Sequence, residues 1–170
     1  MSDGIADLFR HLAAGVHVIG VADGDRRNAF TASWVMQVSF RPLLLAISIN
    51  PAHASYTILH EGRVFAISVL RAEQRAVAEH FGTHSGRTLD KLAGTPWRSG
   101  QTGAPLLLGA QAYFDCQVVS DVEVGDHRLV IGRVVDGAVL SPDGQPLIYA
   151  ETGDLDQSAD LYPKEFCERR

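Results

Sequence analysis

Cysteine is scarce in this chain. Of 170 residues only Cys116 and Cys167 are cysteines, and they lie far apart, outside any C-x-x-C arrangement. That pattern fits a buried strand thiol and a tail thiol better than a disulfide or a redox pair. There is no H-E-x-x-H and no Cys/His cluster, so no metal site is expected. His80 and His84 have an i, i+4 spacing a metal could use, but Gly82 between them is expected to break the helix. The absence of G-x-S-x-G speaks against a covalent hydrolase. The absence of G-x-G-x-x-G means that any dinucleotide is held without a Rossmann phosphate loop. No apolar run reaches about 18 residues, so no membrane-spanning helix is expected. The opening Met1-Ser2-Asp3-Gly4 lacks the basic segment of a signal peptide, which points to the cytoplasm. Basic clusters are limited to the pairs Arg26-Arg27 and Arg169-Arg170. With 15 basic against 20 acidic residues the net charge is −5, and no stripe exists for nucleic acid.

Apolar residues, by contrast, make up 46% of the chain. A chain of this length hides roughly 70% of its unfolded surface, so a core can form without staples. Ile5, Leu8, Phe9 and Leu12 recur at helical spacing, with Asp3 placed to cap them and Gly15 to end the segment. The β-branched run 16–21 leads into Asp23-Gly24, which predicts a hairpin over 16–35. Further strands are expected at 43–49, 64–70, 105–108, 111–119, 128–135 and 147–150. Short helices are expected at 55–61, stopped by Gly62, and at 71–81, closed by Gly82. The Gly-, Thr- and Ser-rich stretch 83–103 reads as a long surface loop with at most one helical turn. Residues 1–152 form one domain, and 153–170 form a tail without periodicity, placed to pack on a dimer partner. The pattern predicts a mostly β fold, a closed or partly closed antiparallel barrel with a few short helices. A parallel α/β sheet would need longer helices between successive strands, and only 71–81 qualifies.

Three segments carry polar chemistry. In Asn28-Ala29-Phe30-Thr31-Ala32-Ser33-Trp34, small residues let a ligand approach the backbone, Thr31 and Ser33 offer hydroxyls, and Trp34 offers a flat face. From pattern alone it reads equally as a half-exposed strand. In Ser48-Ile49-Asn50-Pro51-Ala52-His53-Ala54-Ser55-Tyr56-Thr57, a strand ends, turns at Pro51 and enters a helix. Ser55 and Thr57 with His53 could cradle one phosphate at that helix start; plain capping by Ser55 is the alternative. In Gly125-Asp126-His127, the histidine follows a tight turn at a strand edge, where it can donate a hydrogen bond or a proton.

In this order and spacing, together with Phe65-Ala66-Ile67-Ser68-Val69-Leu70, Phe81, Cys116 and Gly132-x-Val134, the segments resemble the flavin reductase-like family. The match covers about residues 5–150. The resemblance implies the FMN-binding split barrel, a Greek-key-like antiparallel barrel, in a homodimer that reduces flavin with NADH or NADPH. It implies that Thr31, Ala32, Ser33 and Trp34, after Asn28, line the isoalloxazine. It also implies that Ser48, Ile49 and Asn50 face the ring and ribityl chain, and that Ser55 and Thr57 beside His53 hold the phosphate. Phe81 would close the site and His127 would lie near the nicotinamide. FMN is the expected flavin, with FAD as the alternative; Arg87, Lys91 and Arg98 are candidates to read a 2′-phosphate. The product would feed a flavin-dependent oxygenase. Where this chain has Trp34, the family often has a second small hydroxyl residue. The Thr-Ala-Ser-Trp form resembles members that keep FMN as a prosthetic group and pass electrons onward, including ferric reductase-like and flavodiiron-associated branches. A barrel that binds without reducing is the third reading.

Overall fold

The computed structural model of the chain describes residues 4–155 and 157–167. Nine strands follow one another: β1 (His17–Asp23), β2 (Arg26–Ala32), β3 (Val35–Ser39), β4 (Leu44–Ile49), β5 (Val64–Val69), β6 (Trp97–Ser99), β7 (Pro105–Leu107), β8 (Ala112–Val124) and β9 (His127–Val139). Seven of them form one antiparallel sheet in the order β2-β1-β5-β8-β9-β4-β3, and β6 pairs with β7. Ile19, Phe30, Ile47, Phe65, Cys116 and Val130, from six different strands, meet in one buried cluster, so the sheet curls around its inner face. Leu59 of α2 (Ala54–Gly62) enters the same cluster. The edge strands β2 and β3 stay apart in the ladder, which gives the split barrel that the family resemblance implies.

The strands β1 and β5 are buried on both faces. Val18 of β1 and Leu70, just beyond β5, pack with Ala78 and Phe81 of α3 (Arg75–Thr83) and with Leu107. This double burial is why 64–70 reads as an unbroken apolar run rather than an alternation. Contact on the outer face is close enough to demand glycine: a Cβ on Gly20 would overlap the carbonyl of Pro105.

Several local expectations are corrected. The first helix is only α1 (Ile5–Leu8) followed by a 3-10 turn at Phe9–His11, and its apolar stripe faces outward. Asp3, expected to cap it, lies outside the described residues, and Gly4 takes the N-cap position. The hairpin ends at Ala32 rather than continuing to 35, because the chain leaves one sheet edge there and begins the opposite edge at Val35. The helix expected at 71–81 starts at Arg75: Arg71 is drawn into a bridge with Pro146, and its N–H is taken by the Gln74 side chain. Gly82 lies inside α3 instead of closing it, and the rings of His80 and His84 stand 5.4 Å apart. The helix α2 ends with Arg63, not Gly62, in the left-handed conformation. The stretch 83–103 contains β6, pinned by β7. The hairpin β8–β9 is far longer than 111–119 and 128–135, because its distal half is exposed and gave little apolar signal. Only a single bridge, Gly15 to Ile148, stands where 147–150 was expected as a strand; a 3-10 turn at Tyr149–Glu151 follows.

The tail folds back on its own chain. Tyr162 stacks on Phe9 at 5.7 Å, and α4 (Lys164–Cys167) contacts α1. Arg169-Arg170 lies outside the described residues. Among the described residues no helix is long and apolar enough to cross a membrane.

Candidate functional site

The end of β2 is held by a polar contact. The Thr31 hydroxyl donates to the carbonyl of Ala78 in α3 at 2.6 Å. Thr31 therefore anchors its strand to the helix, and the backbone after it, with Ser33, is what remains for a ligand. Thr31, Ala32 and Ser33 are half-buried and line a cleft of about 60 Å³ shared with Val16, Ala78, Gly82, Tyr149, Thr152 and Leu155. Trp34 is 58% exposed, and its carbonyl accepts from the Ser48 N–H at 3.1 Å, which ties the crossing to β4. Ser48 is half-buried. Ile49 points into the core, so only its backbone can face a ligand. Asn50 is exposed and uses its side-chain oxygen to accept from Ala52 N–H at 2.9 Å, shaping the turn into α2.

That turn delivers His53 to the N-cap of α2. Its Nδ1 accepts from the Ser55 N–H at 3.1 Å, so His53, not Ser55, caps the helix. The Ser55 hydroxyl is then left buried with no partner among the described residues. Thr57, two residues on, is exposed, because positions two apart on a helix face different ways. The structure therefore does not bring the Ser55 and Thr57 hydroxyls together. The Phe30 ring lies tilted against His53, with ring centroids 4.9 Å apart.

Positive charge gathers at the same place. Arg87 donates to the Ala52 carbonyl at 3.0 Å. Lys91 is 1% exposed; its Nζ donates to the Phe81 carbonyl at 3.1 Å, and no carboxylate pairs with it among the described residues. Burial pushes the Lys91 ammonium down to about 8. Burial, reinforced by the charges of Lys91 and Arg87, pushes His53 down to about 4. A buried ammonium without a paired carboxylate among the described residues, close enough to act on His53, favours an anion. The Phe81 ring lies in the outer core, so its carbonyl rather than its ring faces this group. Asn28 is buried and accepts from Ala29 N–H at 2.8 Å; Gly86 lies so close to its carboxamide that a Cβ there would overlap it.

His127 opens β9 directly after the turn at Gly125-Asp126, where Gly125 has a positive φ. Its Nδ1 lies 2.8 Å from Asp126, and that hydrogen bond holds the Asp126 carboxyl below its ordinary range. The His127 ring sits 5.0 Å from Trp34, so two residues read from separate segments form one aromatic pair. Sequence reasoning underrated Lys91, which it saw only as a loop cation. It missed the wall made by Tyr149, Thr152 and Leu155. A lysine inside the otherwise short apolar pattern Leu89-Asp90-Lys91-Leu92 was the available signal for the first. The second had none, because the segment has no periodicity.

The model of the flavin reductase like domain family matches residues 9–156. The chain is 34% identical over 145 residues to the NADH:riboflavin 5′-phosphate oxidoreductase of Streptomyces pristinaespiralis, covering 84% of this chain and 81% of that protein. It is 36% identical over 141 residues to the high molecular weight rubredoxin of Moorella thermoacetica, covering 82% of this chain. The chain spans 61% of that rubredoxin's length and 24% of the length of diflavin flavoprotein A 1 of Synechocystis, to which it is 27% identical. Among solved structures, the NADH:FAD oxidoreductase SgcE6 of Streptomyces globisporus C-1027 superimposes with a TM-score of 0.77 at 30% identity, covering 83% of this chain and 84% of that one. An FMN-binding protein from Thermus thermophilus gives 0.76 at 32% identity, covering 84% and 85%.

Proposed function

Because the chain belongs to the flavin reductase-like family, we propose that it is an NAD(P)H-dependent flavin reductase that works with FMN. A flavin held at this site would supply the redox chemistry, with reduced nicotinamide as the hydride donor. The chain's own residues bind, orient and shield. The backbone of 31–34 and the Ser33 hydroxyl line the isoalloxazine, where donors near N1 and O2 favour an anionic ring. Ser48 and the backbone of Ile49 and Asn50 face the ribityl chain. His53, Ser55, Arg87 and Lys91 hold the phosphate. His127, steadied by Asp126 and Trp34, orients the nicotinamide. FAD is the alternative flavin, and released reduced flavin feeds an oxygenase or another acceptor.

The observation that carries this reading is a closed circuit of contacts. Thr31 bonds to α3, Gly86 packs on Asn28, Arg87 bonds to Ala52, the His53 ring lies tilted against Phe30, Ser48 bonds to Trp34, and the Trp34 ring lies tilted against His127. Segments far apart in sequence thus surround one place. Stopped-flow mixing with NADH and with NADPH, in the presence of FMN or FAD, is expected to bleach the flavin band; no bleaching with either sinks the reductase reading. A second reading, a carrier that keeps its FMN, is favoured by the broad exposed face of Trp34. A protein that stays yellow through dialysis selects it.

The family also supports a homodimer. Met36 and Val38 of the edge strand β3, with Trp34 and Phe40 immediately flanking it, are 63%, 40%, 58% and 85% exposed. The register continues this row through Ser48 and Leu129 to Val122, which is 47% exposed. An apolar face of this breadth marks an interface, and a second copy is its proposed occupant. Met36→Asp is expected to convert the dimer to monomer in sedimentation; a wild-type chain that sediments as a monomer at tens of micromolar overturns the dimer.

A further inference from the structure

The segment after Ile148 runs past the end of β2 and makes one wall of the cleft beside Thr31, Ala32 and Ser33. Three groups converge there. A Cβ built on Gly82 would lie 3.4 Å from Thr31 Cβ, 3.5 Å from its hydroxyl and 3.6 Å from Leu155 Cδ2. Leu155 is thus the apolar side chain that stands over the junction of β2 with α3. The segment that carries it is pinned at Tyr149, whose hydroxyl pairs with Ser158 at 2.8 Å and whose N–H donates to the Ala14 carbonyl at 2.8 Å, and is held by weaker contacts around Leu155 itself. Arg75 donates to the Glu151 carbonyl at 3.4 Å, Arg10 pairs with Asp154 at 3.8 Å, and Thr152 bonds within its own turn. Both partners of the Arg10–Asp154 pair are more than two-fifths exposed, and such pairs hold weakly.

We propose that Leu155 sets how long the flavin stays, as a wall that must yield before the ring leaves the place lined by 31–33. The inference rests on the flavin reading above and goes beyond it: the C-terminal segment, rather than Trp34 alone, decides between a flavin that is released and one that is kept. A wall of this kind acts on departure. Affinity differences between variants of one site fall mostly on the dissociation rate.

The test follows FMN fluorescence on binding and on displacement by excess riboflavin. Leu155→Ala is expected to speed FMN dissociation about tenfold, with the association rate changed less than twofold. Asp154→Ala, which loosens the tether and removes nothing from the cleft, is expected to speed dissociation severalfold. Gly82→Ala keeps the fold intact, since alanine suits a helix better than glycine; its methyl fills the cleft and is expected to weaken FMN binding with no loss of thermal stability. Dissociation rates within twofold of wild type for Leu155→Ala and Asp154→Ala, in a chain that binds FMN, overturn the proposal. A wild-type chain that binds no flavin overturns the flavin reading instead.

Discussion

Lys91→Met is expected to move stability and binding in opposite directions. The ammonium is buried, and its hydrogen-bond partner among the described residues is a carbonyl that carries no full charge. Replacing an uncompensated buried charge by a side chain of similar volume stabilises by about 1–3 kcal/mol. The variant should therefore melt several degrees higher. Phosphate binding loses a charge-assisted partner worth about 1.5–3 kcal/mol, which is about 10- to 100-fold in Kd for FMN. Riboflavin, which has the ring and the ribityl chain but no phosphate, should bind wild type and variant alike. Fluorescence titration with both ligands, alongside thermal melts, checks the three outcomes. Equal loss for riboflavin and FMN would place Lys91 at the ring or in the scaffold and remove it from the phosphate site.

Acid should destabilise the chain in a window set by two histidines. His17 opens β1, flanked by Ala32 and Val69, with its Nδ1 buried and without a hydrogen-bond partner among the described residues. Burial pushes its pKa from the ordinary 6.5 to about 4, and His53 is pushed to about 4 as well. Both are neutral in the folded chain across the range where an unfolded chain takes up a proton. Stability is therefore full above about pH 6.5 and falls as the pH drops toward 4, by up to about 1.4 kcal/mol per pH unit for each group. For His17 the total approaches about 3 kcal/mol. Asp121 acts lower on the scale. Burial alone would raise its pKa, but hydrogen bonds from His60, Arg128 and Tyr56 outweigh that and hold it below 3.8, so its contribution is lost only in stronger acid. Urea melts from pH 7 to 4.5 should show the slope, and His17→Leu should about halve it. FMN should shrink the share of His53, because an anion beside it restores its affinity for a proton. Identical slopes for wild type and His17→Leu would remove His17 from this account.

How much of this was legible in the sequence depends on what each residue had to announce. The inner strands were plain, because Ile19, Ile47 and Ile67 serve a single core while Val18 and Ala66, beside two of them, are buried in clusters on the other face. The strand β3 was hidden: Met36 and Val38 face outward while only Val35 packs on the core, and just two residues separate it from β2. The strand β6 has three residues and no periodicity to read. Among the candidate site residues, small and polar types at strand ends pointed to the right segments. The same types could not say which group each side chain would use. Thr31 and Asn50 turned out to spend theirs on the scaffold, and His53 took the cap expected of Ser55. Such choices turn on distances of a few ångströms between segments far apart in sequence, which no local pattern encodes.

Ser33 and Trp34 are the whole link between β2 and β3, the two outermost strands of a seven-stranded sheet. Any widening of the split must bend the chain at those two residues. A ligand seated against them would act as a clasp across both free edges at once. Amide hydrogens of β2 and β3 should then exchange more slowly together when FMN is added, while those of β5, already enclosed on both faces, should hardly change. In this barrel, occupying the site and closing the seam would be one event.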